Sequence, residues 1–374
     1  MTAMKVALIG LGNAGTNLHL PALAGLPDAT VVGGCDPDPD RRAEAERRFT
    51  LTTFDDVEPM LNATRPDMVI VATPPDSHAE YIRQIVAFGA DVLCEKPFVS
   101  SIREADEVIA LARDAGRRVA VNHEFREMEI FRALHDRVGT DGVGDLVVAQ
   151  VWQLMDLAPW DEAGWRSRMP GRSFFEGGIH LLDYVMMLFG EMPRAVQAVM
   201  SSCGRGSEDG DAVTSVTLEF SGGRLAQIMQ NRLCPGETQY FEVRADCREA
   251  SLRASFGGRA RLSAGLHRST RPHVRFEFGA SGVAWKEKGH TRHFFARNPR
   301  NPPMAATRAV LTRTLQAFAS GSSPSATAED GRNALLVLAA VYRSAETGRR
   351  IDLQTLPLDE VADLAMGALP ADAA

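Results

Sequence analysis

The chain opens with an apolar run, Val6 to Ile9, that leads directly into Gly10-Leu11-Gly12-Asn13-Ala14-Gly15. This G-x-G-x-x-G arrangement constrains the fold more than any other feature of the sequence. Gly10 permits a tight turn after the strand, Gly12 lets backbone approach a pyrophosphate, and Gly15 lets the next helix pack close to the strand. The free N–H groups and positive dipole end of that helix, beside Asn13 and Ala14, then form an anion site. With 32 glycines in 374 residues, the spacing alone would arise by chance in roughly one such chain in five. The surrounding strand–turn–helix context therefore decides.

That context is present. Asn17 to Gly25 reads as a helix, short or kinked because Pro21 lies inside it. Ala29 to Cys35 reads as a second strand that ends at Asp36. An acidic residue about 20 positions beyond the glycines is where a dinucleotide fold holds the adenosine ribose hydroxyls. Asp36-Pro37-Asp38-Pro39-Asp40 is also good turn chemistry. A carboxylate there repels a 2′-phosphate and favours NAD, while Arg41 and Arg42 lie close enough in sequence to keep NADP as the less favoured cofactor.

Residues 1–122 alternate strand and helix. Asp67 to Thr73 is a continuous apolar strand, Thr73-Pro74-Pro75-Asp76-Ser77-His78 a loop, and Ala79 to Phe88 a helix. Ala90 to Cys94 is the next strand, followed by Glu95-Lys96-Pro97, a helix from Ile102 to Ala115, and a strand from Arg118 to Val121. Repeated strand, crossover helix and parallel strand specify a doubly wound, Rossmann-type dinucleotide-binding domain. From residue 123 the pattern changes to longer strands: Leu146 to Leu154, the hairpin Ala212 to Phe220 with Arg224 to Asn231, and the pair Tyr240 to Ala245 with Ala250 to Ser255. Residues 123–353 therefore read as a second α/β domain on an open, largely antiparallel sheet. Residues 259–303 give no clear pattern. Thr307 to Phe318 and Ala328 to Thr347 are helices, and residues 328–347 are candidates to pack back on the first domain. Residues 354–374, rich in Ala, read as a weakly ordered tail.

Composition removes several function classes. A net charge of −7 gives no electrostatic case for nucleic acid or an anionic membrane surface. No run is long enough to span a bilayer, and the N-terminal apolar stretch, carrying Lys5, does not read as a signal peptide. Cys35, Cys94, Cys203, Cys234 and Cys247 form no C-x-x-C pair and suit a reducing cytoplasm. His290 and His293 are the nearest approach to a histidine pair and do not read as ligands, so no metal site is expected.

A second chemical segment is Glu176-Gly177-Gly178-Ile179-His180-Leu181-Leu182-Asp183 and its apolar continuation to Phe189. At helical spacing His180, Asp183 and Met187 share one stripe, and Glu176 joins it one turn earlier. Buried polar groups need partners, so the stripe is either a satisfied internal network or the wall of a polar cleft. Gly177 and Gly178 favour the cleft, because they let something flat approach the backbone.

The order GLGNAG, Asp36, TPPDSH, CEKPF, Trp165-Arg166 and GG-x-H-x-x-D resembles the glucose–fructose oxidoreductase / inositol dehydrogenase (Gfo/Idh/MocA) family, from Lys5 to about Leu353. The resemblance implies a nicotinamide cofactor at the strand C-termini and a carbohydrate-like substrate (sugar, cyclitol or relative) between the domains. It also implies oxidation of a secondary alcohol or reduction of the ketone. His180 would be the proton acceptor, Lys96 would favour alkoxide character, and Glu176, where the family usually has aspartate, would orient the imidazole. Thr73, Pro74, His78, Glu95 and Lys96 would lie at the cofactor. Trp165 and Arg166 would lie near it or form an interdomain packing pair; Arg126 and Gln153, with Lys96 and His180, would line the substrate pocket. A cis Lys96–Pro97 bond and a dimer or tetramer formed through the open sheet, with Val147-Ala149-Val151 as its covered face, are further expectations. Two other functions remain: an NAD-dependent enzyme that oxidises a sugar only transiently before elimination or hydrolysis, and a sensor of dinucleotide and ligand without turnover.

Overall fold

The computed structural model describes residues 3–155, 173–203, 210–234, 240–256, 263–265, 273–275 and 282–363. Its first sheet is formed by β1 (Met4–Ile9), β2 (Ala29–Cys35), β3 (Thr53–Phe54), β4 (Met68–Val71), β5 (Asp91–Cys94) and β6 (Val119–Val121). All its pairings are parallel, in the order β3-β2-β1-β4-β5-β6. The expected strand, turn and helix sequence is present, and the helix after the glycines is broken as Pro21 requires: a π-helical turn, Gly15–His19, runs into α1 (Leu20–Leu23).

Two helices sit where the sequence suggested only a turn or gave no reading: α2 (Pro39–Phe49) and α3 (Val57–Thr64). The Asp-Pro run is the start of α2, because the Asp38 side chain accepts from the N–H groups of Asp40 and Arg41, with Pro39 in the first turn. The helices α4 (His78–Phe88) and α5 (Ile102–Asp114) complete the crossovers; Gly89 in a left-handed conformation ends the first and Ser101 caps the second.

Successive β1 residues point to opposite faces of the sheet, so Ala7 and Ile9 join one buried cluster while Val6 and Leu8 join another. The second cluster is closed by residues from far along the chain. After α6 (Glu129–His135) and α7 (Ile179–Phe189), helix α8 (Pro302–Ser320) places Val310, Leu311, Leu315 and Phe318 against Leu8, Met68 and Ile70. The next helix, α9 (Ala328–Thr347), packs on both α5 and α7. The first sheet thus takes its cover from both ends of the sequence. Past residue 353, where a loose tail was expected, α10 (Leu358–Val361) buries Val361, and the Ala362 carbonyl accepts from Ile102 N–H at 3.0 Å.

The second sheet carries nine strands: β7 (Leu146–Leu154), β8 (Ala195–Ser201), β9 (Val213–Glu219), β10 (Leu225–Asn231), β11 (Tyr240–Cys247) and β12 (Ser251–Phe256), then, beyond a separate pair β13 (Ser263–Gly265) and β14 (His273–Arg275), β15 (Val283–Lys288), β16 (Thr291–Arg297) and β17 (Ile351–Asp352). The order is β16-β15-β12-β11-β7-β10-β9-β8-β17, with β7 and β10 parallel and the other pairs antiparallel. Ala149 and Val151 face inward, at 0% and 1% exposure, against the chain's own helices. Of the residues expected on the covered outer face, only Val147 is exposed, and it lies where a register shift against β11 interrupts the pairing. The residues that do face outward are Val148, Gln150 and Trp152.

Arg126, expected at the substrate, ties this domain together. Its guanidinium makes a bidentate pair with the buried Asp183 of α7 at 2.6 and 2.8 Å. It also donates to the Ser325 carbonyl at 2.6 Å and to Asp330 of α9 at 3.2 Å. The polar stripe of α7 is, at Asp183, a satisfied internal network. Asp183→Ala leaves a buried guanidinium with only the half-exposed Asp330 as counter-charge, so it should lose about 3 kcal/mol of stability in denaturant unfolding. A loss under about 1 kcal/mol would contradict this role.

Candidate active site

The C-terminal ends of β1, β2, β4, β5 and β6 open onto one cavity of about 790 Å³, the edge at which open parallel sheets bind ligands. The glycine loop forms one wall. Gly10 has φ +94° and a Cβ there would fall 2.5 Å from the Ala72 carbonyl oxygen; at Gly15 it would fall 2.1 Å from the Gly10 oxygen. Both positions are closed by the protein itself. At Gly12 the nearest atom is Arg41 Nη1, 3.7 Å away, so the space above that backbone is open to the cavity, as a pyrophosphate needs. Asn13 and Ala14 line the same wall.

Asp36 follows β2 with both carboxylate oxygens set by backbone: Oδ2 accepts from Leu11 N–H at 2.8 Å and Oδ1 from Asp38 N–H at 3.0 Å. Asp55 and Asp56 line the cavity beside it. Arg41, at 3.6 Å from Asp36 and 3.4 Å from Asp38, is already shared between two carboxylates. Arg42 donates to the carbonyls of Asp36 and Pro37 at 2.8 and 2.9 Å.

Thr73 and Pro74 line the cavity after β4. His78, expected at the cofactor, is fully buried behind them. Its ring nitrogens lie 2.8 Å from the Thr73 carbonyl and 3.0 and 3.1 Å from those of Phe98 and Pro97, so the ring pins this loop to the turn after β5. In that turn Lys96–Pro97 is cis.

Glu95 is buried at the same turn. Its Oε1 lies 2.7 Å from His19 Nε2 and accepts from Asn122 Nδ2 at 2.7 Å; Oε2 accepts from Lys96 N–H at 3.2 Å. Burial alone would raise its pKa, but the His19 contact, the Lys96 charge and the Asn122 hydrogen bond outweigh it and bring the carboxyl down to about 2.

The second domain enters through the π-helical turn Phe174–Gly178 and α7. Lys96 Nζ donates to the Glu176 carbonyl at 3.2 Å, and Glu176 lines the cavity. The two glycines that follow serve packing within the protein. A Cβ on Gly177 would meet Arg232 and Gln230 at 2.6 Å, and one on Gly178 would meet the Phe174 ring at 2.4 Å. His180 is 5% exposed and stacks on Phe125, centroids 4.3 Å apart. Burial, followed by the nearby charge of Lys96, holds its pKa well below 6.5. Its Nδ1 lies 3.7 Å from Glu124 Oε2. Gln153 is buried on β7, its amide oxygen accepting from Gln230 Nε2 at 2.6 Å. Neither Gln153 nor Arg126 is among the residues that line the cavity. Trp165 and Arg166 lie outside the described residues.

Glu124 and the pair Asp55 and Asp56 were not picked out from the sequence. Each follows a strand of the parallel sheet at the edge where ligands bind, β6 for the first and β3 for the others, and that position is the signal that could have found them.

Two family models match the chain. Residues 4–123 match the oxidoreductase family with an NAD-binding Rossmann fold, and residues 131–253 match the GFO/IDH/MocA C-terminal domain. The chain is 25% identical over 362 residues to a D-apiose dehydrogenase of Paraburkholderia graminis, covering 94% of this chain and 90% of that one. It is 24% identical over 358 residues to a myo-inositol 2-dehydrogenase of Thermotoga maritima, covering 94% and 99%. A crystal structure of an Agrobacterium radiobacter oxidoreductase in complex with NAD+, L-tartaric acid and magnesium superimposes with a TM-score of 0.80 at 18% identity, covering 94% of this chain and 99% of that one. The glycine loop, the Lys96 turn and α7 thus sit in a fold and a sequence that belong together: the chain belongs to the Gfo/Idh/MocA family of oxidoreductases.

Proposed function

We propose that this protein oxidises a secondary alcohol of a sugar, cyclitol or related polyol, or reduces the matching ketone, with NAD as the redox partner. The observation that carries the reading is one cavity with an open glycine wall at Gly12 and Asp36 and a charged end at Lys96, Glu124 and Glu176. Its volume is that of a cofactor and small-molecule site. Relatives named as dehydrogenases of D-apiose and myo-inositol, and a 1,5-anhydro-D-fructose reductase of Ensifer adhaerens at 26% identity over 306 residues, support redox turnover over transient oxidation or sensing. The scattered cysteines suit a reducing, cytoplasmic setting.

The residues that would hold the cofactor are Gly12, Asn13 and Ala14 at the pyrophosphate, Asp36 at the ribose, and Thr73, Pro74 and Lys96 toward the reacting end. Bound NAD supplies the hydride acceptor. Lys96, positioned by the Glu176 carbonyl, stabilises negative charge on the substrate oxygen. His180, on α7 beside the reacting end, supports removal of the hydroxyl proton. With wild-type protein and a panel of sugars and cyclitols, at least one should reduce NAD stoichiometrically. His180→Ala should then lower the single-turnover rate by about 10²–10⁴ with NAD binding kept. A wild type that binds NAD and reduces none of it across the panel would overturn the dehydrogenase reading.

The cofactor preference follows from charge. A 2′-phosphate at the ribose site would meet Asp36, Asp55 and Asp56 against Arg41, already paired with two carboxylates, while Arg42 is held on backbone carbonyls. NADH should bind at least about tenfold tighter than NADPH in a fluorescence titration, a gap of about 1.4 kcal/mol. Tighter NADPH binding would refute the NAD assignment.

The second sheet is the proposed oligomer interface, through a row different from the one expected. Trp152, Met229, Ser215 and Val199 are lateral neighbours across β7, β10, β9 and β8, and Val199 is 67% exposed. An exposed row of this kind, with Trp152, Met229 and Val199 side by side, is the sort of apolar patch that marks an interaction surface. Light scattering at micromolar concentration should give a dimer or tetramer, and a monomeric mass would contradict it.

A further inference from the structure

The cavity wall holds a carboxyl group that none of the roles above uses. Glu124 lies three residues beyond β6, lines the cavity beside Lys96 and Glu176, and has a side chain only 13% exposed. Its Oε2 is buried and makes no hydrogen bond, and neither does His180 Nδ1, 3.7 Å away. Two orphaned polar atoms that face each other across such a gap are a costly arrangement unless a proton or a ligand serves them. The imidazole is held flat against Phe125, the residue next to Glu124, so the pair is set by adjacent positions of one chain segment. His180 itself does not line the cavity; Glu124 does.

We propose that Glu124 is the cavity-facing member of a carboxyl–imidazole dyad, and that it takes the substrate's hydroxyl proton with His180 Nδ1 behind it. The proposal rests on the dehydrogenase reading and assigns its proton path. In the step, the alcohol C–H bond breaks with both electrons moving to the nicotinamide ring. The O–H bond breaks with its proton moving to the Glu124 carboxylate, and C–O becomes C=O. Alcohol, NAD+ and carboxylate thus give ketone, NADH and carboxylic acid. In reduction the protonated Glu124 returns the proton.

The surroundings suit a group that exchanges protons near neutrality. Burial raises the Glu124 carboxyl to about 7, against the pull of Lys96 and with the push of Glu95 and Asp183. His180 is kept neutral by burial and by Lys96, His123 and Arg232. Glu176, in the π-helical turn before α7, lines the same cavity. The base form of Glu124 is therefore gained as pH rises through about 7, so alcohol oxidation should rise with it and ketone reduction should fall.

Infrared difference spectra of the protein alone, titrated from acid to alkaline pH, read the dyad without any turnover. The expected result is the carbonyl stretch of a protonated carboxyl that disappears with a midpoint near neutrality. The band should be absent in Glu124→Gln and shifted in midpoint in His180→Asn. Failure to find a band that depends on Glu124 would overturn the proposal. NADH titration of the same samples tests that the variants keep the cofactor site, with Kd expected within about twofold of wild type. With the polyol that reduces NAD fastest, Glu124→Gln should lose about 10²–10⁴ in single-turnover rate and lose the ionisation near neutrality from its pH profile. A wild-type rate in Glu124→Gln would also overturn the proposal. A wild type inactive on every polyol bears on the dehydrogenase reading instead, and the infrared band still decides whether the dyad exists.

Discussion

The buried carboxylate of Glu95 is the point from which the rest of the site is hung. Three chain segments meet on it: the helical turn after the glycine loop through His19, the strand end of β6 through Asn122, and its own turn through the Lys96 N–H. Burying a charge without partners costs several kcal/mol, and here the hydrogen bonds more than offset that cost. The outcome is a carboxyl held near 2, against 4.5 when free. Its contribution to stability is complete above the free value and is lost as pH falls through the folded one. Because Glu95 precedes Lys96 and Asn122 stands two positions before Glu124, one ionised group sets the starting points of both charged side chains at the reacting end.

This anchoring explains how two domains share one cavity. The parallel sheet delivers its loops to a single edge, because every strand runs the same way. The glycine loop, Asp36, the Thr73–Pro74 loop, the Lys96 turn and Glu124 all arrive there. The second domain contributes Glu176 to the cavity from the π-helical turn before α7 and holds His180 on α7 behind Glu124, and α7 is fixed in turn by the Arg126–Asp183 pair and by packing on α9. Lys96 bridges the two halves through the Glu176 carbonyl. Asp36, Asp55 and Asp56 crowd one end of the cavity, and among the described lining residues the amine, Lys96, sits with Glu95, Glu124 and Glu176 at the end where negative charge would develop.

Much of this was legible in the residues. Local signals were reliable: the period of the strands, the glycine spacing, Pro21 breaking a helix, and the apolar run of α9 each act within a few residues of chain. What escaped depended on distant partners. Arg126 is a polar residue near the site in sequence, but nothing near it in sequence announces that Asp183 and Ser325 would occupy its guanidinium. The same holds for Gly177 and Gly178, whose missing side chains admit Arg232 and Phe174 and no flat ligand. The outer face of β7 was assigned to the wrong alternate residues because a short run of valines and alanine gives no hint of which face the helices cover. The cap on α2 was readable, since Asp before Pro at a helix start is a known signal, but the same letters also spell a turn.

The central claim is that one cavity holds the dinucleotide along the glycine wall with its reacting end between Lys96 and Glu124. A crystal structure with NADH bound tests it most directly. The account predicts pyrophosphate over Gly12, ribose hydroxyls on the Asp36 carboxylate, and the nicotinamide ring beside Lys96, with room for a substrate oxygen in hydrogen-bonding reach of Lys96 and Glu124. A nicotinamide ring bound away from that end, with Lys96 and Glu124 both beyond reach of any atom next to its C4 position, would contradict it.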